Sequence, residues 1–196
     1  LKSEGKGKAE RRFEESAEVK LRFVRENADR IERVAERMAA TLRRGGKILL
    51  FGNGGSACDA THIAAEFVCR FQKNREALAA ISLATDMAAL TSISNDYEYG
   101  EVFSRQIAAL GKGEDLAIAI STSGNSPNVI KGVEAAKRKG IGVVALTGGS
   151  GGKLAPMADE AFVVSSEVTA RIQETHITLG HVLCELVEDR LFGGEA

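Results

Sequence analysis

Lys47-Ile-Leu-Leu-Phe-Gly-Asn-Gly-Gly-Ser56, continuing through Glu66, is the stretch from which the fold can be read. Lys47 to Phe51 is a short apolar run between Gly45-Gly46 and Gly52, and it predicts a buried strand, because a helix needs about twice that length. Asn53-Gly54-Gly55-Ser56 then allows a tight turn that presents backbone N–H groups. The apolar spacing from Ala57 to Phe71 predicts a helix, with Ser56 as its N-cap. A strand, a small polar loop and a helix N-terminus together form an anion cradle, since unpaired amides and the helix dipole point the same way. His62 and Glu66 are four residues apart on that helix and share a face. This pattern suggests chemistry on a phosphorylated molecule. Two plainer readings stand beside it: Gly-rich strand–helix turns often bind nothing, and His/Glu pairs at this spacing are often surface pairs.

Working outward, about Glu10 to Arg44 has apolar residues at helical spacing, with Phe13, Val19, Phe23 and Val24 on one stripe and Ile31, Val34, Met38 and Leu42 on another. Asn27-Ala28-Asp29 predicts a break between them, giving an N-terminal helical hairpin. The hairpin could pack on its own sheet or against a second subunit, and the expectation taken forward is a homo-oligomer. Downstream, Leu78–Leu83, Asp115–Ile120, Ile141–Leu146 and Ala161–Val164 predict four further strands. Between them Asp86–Ile93, Tyr97–Leu110 and Asn128–Lys139 predict helices, with Asn95-Asp96 in a loop. A long helix over Ala170–Phe192 closes the chain. Alternation of this kind predicts an α/β fold, a three-layer, doubly wound, five-stranded parallel sheet. Three strands end in Gly/Ser/Thr/Asn loops, and right-handed crossovers bring those loops to one edge, where open α/β sheets bind ligands. Residues 1–9 are expected to form a tail outside a single domain spanning 10–196.

The totals narrow the function classes. The 196 residues are 44% hydrophobic with a net charge of −1, enough for one core and without the basic footprint of a nucleic-acid binder. Cys58, Cys69 and Cys184 are odd in number and lack paired spacing, which argues against a disulfide framework and for a reducing compartment. No apolar run has membrane length and no secretory leader is evident. The expectation is a cytoplasmic protein with no membrane partner.

Ser121, Thr122, Ser123 and Ser126 offer four hydroxyls within six positions, just before Pro127 opens a helix. Such donors can hold phosphate without a lysine, although they can also cap their own turn. There is no GxxxxGK[ST], and Gly52-Asn53-Gly54-Gly55 is not GxGxxG, which disfavours nucleotide triphosphates and dinucleotides. In the last helix Gln173 and His181 lie two i+4 steps apart, while His176 is displaced from their face. His62, Glu66, Gln173 and His181 are together donors suited to a divalent metal, if the two helices meet.

Phe51-Gly-Asn-Gly-Gly-Ser-Ala-Cys-Asp-Ala-Thr-His62, Asn95-Asp96, Ile120-Ser-Thr-Ser-Gly-Asn-Ser126 and Arg171-Ile-Gln-Glu-Thr-His176 closely resemble the sugar isomerase (SIS) family, and among its members the phosphoheptose isomerases. The resemblance runs from about Ala28 to Leu191. It implies a flavodoxin-like five-stranded sheet, a homotetramer, and interconversion of D-sedoheptulose 7-phosphate with D-glycero-D-manno-heptose 7-phosphate in bacterial heptose (lipopolysaccharide core or surface glycan) precursor synthesis. By the same resemblance Ser121, Thr122, Ser123 and Ser126 hold the phosphate, and Asn53, Gly54, Gly55, Ser56, Asn95, Asp96 and Gln173 line the sugar site with Glu66. Glu66 and His181 match the acid/base pair, and His62, Glu66, Gln173 and His181 match a zinc site with one ion per subunit. One position departs from the pattern: many members carry Asp just before Arg-Ile-Gln-Glu, where this chain has Ala170.

Aldose–ketose isomerisation moves a proton between C1 and C2 through an enediol. It needs a base at carbon, here Glu66, and a group for the oxygen proton, here His181. The rival expectations are a non-catalytic SIS relative that binds the replication initiator and an isomerase for another sugar phosphate. The Glu66/His181 pair separates the first rival from the main reading.

Overall fold

In the computed structural model, which describes residues 7–193, strand β1 (Ile48–Gly52) is buried along its whole length. Its side chains alternate between two apolar layers. Ile48 and Leu50 face one layer, with α1 (Lys8–Arg43), α2 (Gly55–Val68) and α6 (Thr169–Phe192). Leu49 and Phe51 face the other, with α4 (Val102–Leu110) and α5 (Pro127–Arg138). Cover on both faces is why the strand reads as an unbroken apolar run and not as an alternation. β2 (Ala80–Ser82), β3 (Leu116–Ser121), β4 (Gly142–Gly148) and β5 (Glu160–Val164) complete a five-stranded sheet of order β2-β1-β3-β4-β5. All neighbours are parallel, with Leu50 opposite Ser82 and Gly52 opposite Ile120. This is the expected doubly wound, flavodoxin-like sheet. Its order reverses between β1 and β3, so the loops after those strands flank the switch-point crevice.

The N-terminal hairpin is not formed. α1 is one helix of 36 residues, and no Gly or Pro occurs within it. The expected break fails because Asn27 is satisfied inside the helix: its Nδ2 donates to Phe23 O (2.9 Å) and its Oδ1 accepts from Arg30 Nη1 (2.9 Å). Arg30 also donates to Glu160 and to Ala161 O, which anchors mid-helix to the β5 edge. α1 begins at Lys8, so residues 8 and 9 of the tail expected over 1–9 are helical, while residues 1–6 lie outside the described residues.

Smaller boundaries also differ from expectation. α2 starts at Gly55 after Gly54, which takes φ +55°, so Ser56 lies inside the first turn, buried, and is not the N-cap. Gly52 permits this tight entry, since a Cβ there would come 2.8 Å from both Ile120 O and Ser56 Cβ. α2 ends at Val68 and not at Phe71. Asp86 caps α3 (Met87–Asp96) by accepting from Ala89 N, and that helix runs through Asn95 and Asp96 instead of ending in a loop before them.

α6 packs against both α1 and α2. Gly180 allows the second contact, because a Cβ at that position would lie 2.4 Å from Ile63 Cδ1. Among the described residues, no helix is long and apolar enough to cross a membrane.

Candidate active site

α2 and α6 bring together groups that are 119 positions apart. His181 Nε2 lies 3.2 Å from His62 Nε2, which is itself 3.0 Å from Glu66 Oε1. The ligand atoms of His62, Glu66 and His181 all fall within 4.8 Å of one another. Glu66 and His181 are half-buried and His62 is exposed at the rim. His62 borders an open depression of about 530 Å³ that it shares with Cys58, Thr61, Ala65 and Ala84. Gln173, the fourth expected donor, approaches the start of α2, where a Cβ on Gly55 would lie 2.4 Å from its Nε2.

These donors fit a divalent metal. Two facing ring nitrogens and a carboxylate oxygen crowd one point, where His62 Nε2 can give a single proton to only one neighbour. A cation would engage all three lone pairs, and His₂Glu with an open position is a donor set that zinc accepts.

Asp59, one turn before His62, has a buried Oδ2 with no hydrogen-bond partner among the described residues. Burial pushes its pKa up, opposed by the neighbouring His62. Its i, i+3 spacing to His62 was a signal that the sequence reading did not use. Phe71 was also missed. Its ring stacks on His181, with centroids 5.6 Å apart and planes inclined by 26°, and no local pattern announces a contact across such a separation.

The Ser-rich loop closes β3. Ser121 is buried, and its hydroxyl pairs with that of Ser126 at 2.9 Å. Ser126 therefore makes no side-chain cap to its own helix α5; Pro127 has no N–H and Val129 N donates to Asn128 Oδ1 (3.0 Å), which leaves Asn128 N as the first-turn donor for an anion. Gly124 shapes the turn at φ +64°, where a Cβ would meet Gly151 O at 2.1 Å. The third polar loop, after β4, thus presses against the second. Thr122 and Ser123 line a cavity of about 280 Å³ together with Gly148, Gly149, Ser150 and Thr169.

Asn53 joins the first and second loops, but through its side chain: it exchanges two amide hydrogen bonds with buried Asn128, both 2.8 Å, and accepts from Tyr99 Oη at 3.0 Å. Gly54 and Gly55 form the turn into α2. Asn95 and Asp96 are exposed and hydrogen-bond each other at 2.8 Å. Among the described residues, no hydrogen bond joins that pair to the other candidates. Ala170 is exposed in the first turn of α6, which carries no acidic residue.

His176 is elsewhere, as its spacing implied. It is buried, hydrogen-bonded at Nε2 to Thr147 O (3.0 Å), and its pKa is lowered to about 4 by burial, partly offset by that bond.

Residues 12–148 match the family model described as SIS domain. The chain belongs to the SIS domain family. That match ends before α6, but full-length SIS relatives continue through it. A phosphoheptose isomerase from Thermodesulfovibrio yellowstonii is 59% identical over 94% of this chain and 92% of its own length, a span with no room to omit Gln173 and His181. Two solved SIS structures share the architecture. The phosphoheptose isomerase from Neisseria gonorrhoeae has a TM-score of 0.87 at 44% identity, covering 92% of this chain and 97% of its own. That from Francisella tularensis has a TM-score of 0.89 at 37% identity, covering 93% and 97%.

Proposed function

We propose that this chain is an aldose–ketose isomerase that converts D-sedoheptulose 7-phosphate to D-glycero-D-manno-heptose 7-phosphate, feeding heptose precursor synthesis. The observation that carries the reading is the convergence of Glu66 and His181 from two helices onto one point, in a chain whose near-full-length relatives are named phosphoheptose isomerases. Ser121, Thr122, Ser123 and Ser126 hold the phosphate through neutral donors and the open start of α5. A Glu66 carboxylate oxygen moves the proton between C1 and C2, and His181 Nε2 serves the proton on the adjacent oxygen. A SIS relative acting only as a regulator would have no use for such a pair.

His62, Glu66, Gln173 and His181 would hold a zinc ion, which when bound would polarise the carbonyl oxygen. Glu66 and His181 would then be ligands as well as acid/base groups, which needs a carboxylate free to shift and a His181 Nε2 that leaves the ion before it takes the oxygen proton. Metal analysis of protein purified without chelator is expected to find about one zinc per chain. Zinc-free protein with full activity would reject a metal requirement.

The central test follows sedoheptulose 7-phosphate by NMR with wild type beside Glu66→Gln. An aldoheptose 7-phosphate product is expected, with turnover in the variant lower by about 10²–10⁴-fold and its fold intact. Near-full turnover of Glu66→Gln would overturn the assignment of the base. No product from the metal-replete wild type would reject the substrate.

We further propose a homotetramer in the cytoplasm. Phe13, Leu21 and Val24 on α1 and Val182 on α6 are exposed apolar side chains, which support a subunit contact. Three free cysteines support a reducing compartment.

A further inference from the structure

Seven residues beyond His181 on α6, Glu188 is almost wholly buried, yet it is charged and fully engaged. Its Oε1 accepts from Phe71 N (2.9 Å) and Arg75 Nε (2.7 Å). Its Oε2 accepts from Gln72 N and Lys73 N, both 2.9 Å. Burial pushes the carboxyl's pKa up, but the three amides and Arg75 outweigh it and hold it below the ordinary value. Arg75 completes the bracket: its side chain is 2% exposed, and it donates to Glu66 O (2.8 Å) and Phe67 O (2.9 Å), the last-turn carbonyls of α2. Those carbonyls lack partners within their helix, and a cation there also suits its dipole.

One ion pair therefore fastens the end of the helix carrying Glu66 to the helix carrying His181. It also fixes the backbone of Phe71, whose ring lies against His181. A buried ion pair gains little net stability over an apolar pair of the same shape, so its value here lies in the geometry it imposes.

We infer that Phe71, held by the Glu188–Arg75 clamp, is a positioning residue that sets the His181 imidazole against His62 and Glu66 for the isomerisation. The inference rests on the reading of Glu66 and His181 as the acid/base pair. Phe71 touches none of the reacting atoms in that reading and acts only through the ring it supports.

The test compares wild type, Phe71→Leu, Phe71→Tyr and Glu188→Gln by two measurements. The first is the set of aromatic NOE cross-peaks between the His181 and His62 rings, whose centroids are 4.9 Å apart; it needs no activity. The second is steady-state kinetics on sedoheptulose 7-phosphate. Phe71→Leu is expected to weaken the cross-peaks and lower kcat by about ten- to a hundred-fold, with KM changed less than about two-fold. Phe71→Tyr keeps the ring face and should restore both, while Glu188→Gln should resemble Phe71→Leu. If Glu188→Gln does not fold, Phe71→Leu leaves the clamp intact and decides alone. Unchanged cross-peaks in Phe71→Leu would overturn the inference. So would wild-type kcat in that variant, or a Phe71→Tyr as slow as Phe71→Leu. A wild type that turns over no heptose phosphate would reject the proposed reaction instead, and the cross-peaks would still decide the positioning.

Discussion

His62 and Glu66 could be found from spacing alone, because a helix brings i and i+4 onto one face whatever surrounds it. Their meeting with His181 could not, since it depends on how α2 and α6 pack, and Phe71 was hidden for the same reason. Asn53 shows the opposite limit. The family resemblance assigned it to the sugar site, and nothing in its local sequence announced that its side-chain amide pairs with Asn128. His176 is offset along α6 from His181 and buried against Thr147 O, and its burial has a consequence of its own. The folded chain resists protonating it until about pH 4, whereas the unfolded chain protonates it near 6.5. Between those values the unfolded state binds the extra proton, so stability falls as pH drops through the window, by up to about 3 kcal/mol in all. Urea unfolding at pH 7 and pH 4.5 should show this loss, and His176→Asn should remove most of that slope. An equal slope in the variant would assign the acid sensitivity to other groups.

Among the elements, the strands were legible because each is an apolar run closed by small polar residues, and cover on both faces leaves little ambiguity. Helix boundaries were less so. Asn27 looked like a stop, but an Asn that bonds its own i−4 carbonyl and a neighbouring Arg continues a helix. Gly180 likewise reads as a weak point in α6, although its job is contact with α2. Gly180→Ala would force its Cβ onto Ile63 and should cost about 1–3 kcal/mol by overpacking. Moving the helices apart should also lower turnover, because Ile63 and Gly180 directly adjoin His62 and His181 in sequence. Denaturant melts beside kcat would check both, and a variant as stable and as fast as wild type would show that the helices accommodate the methyl.

At the scale of the molecule, the doubly wound sheet and the gathering of polar loops at one edge were readable from the order of the elements, whereas the switch point between β1 and β3 needed the strand order. What lies against α1 was not readable, because an apolar stripe does not name its partner. Phe13 is 79% exposed and Leu21 52%. Phe13→Glu combined with Leu21→Glu is expected to yield a smaller species in light scattering while leaving the monomer fold, since neither side chain belongs to the core. A double variant with unchanged mass would place the subunit contact elsewhere or reject it.

α6 supplies Gln173, His181 and Glu188 and also covers α1 and α2, which gives the order of synthesis a meaning. On the ribosome, α2 emerges with His62 and Glu66 long before their partners exist. At about 5–20 residues per second, the 119 positions from His62 to His181 take roughly 6–24 s to make. Through that interval the nascent chain has an uncovered apolar face and an unassembled His62–Glu66–His181 cluster. The last helix completes both together, so a chain that stops short of it gains neither a closed core nor the assembled cluster.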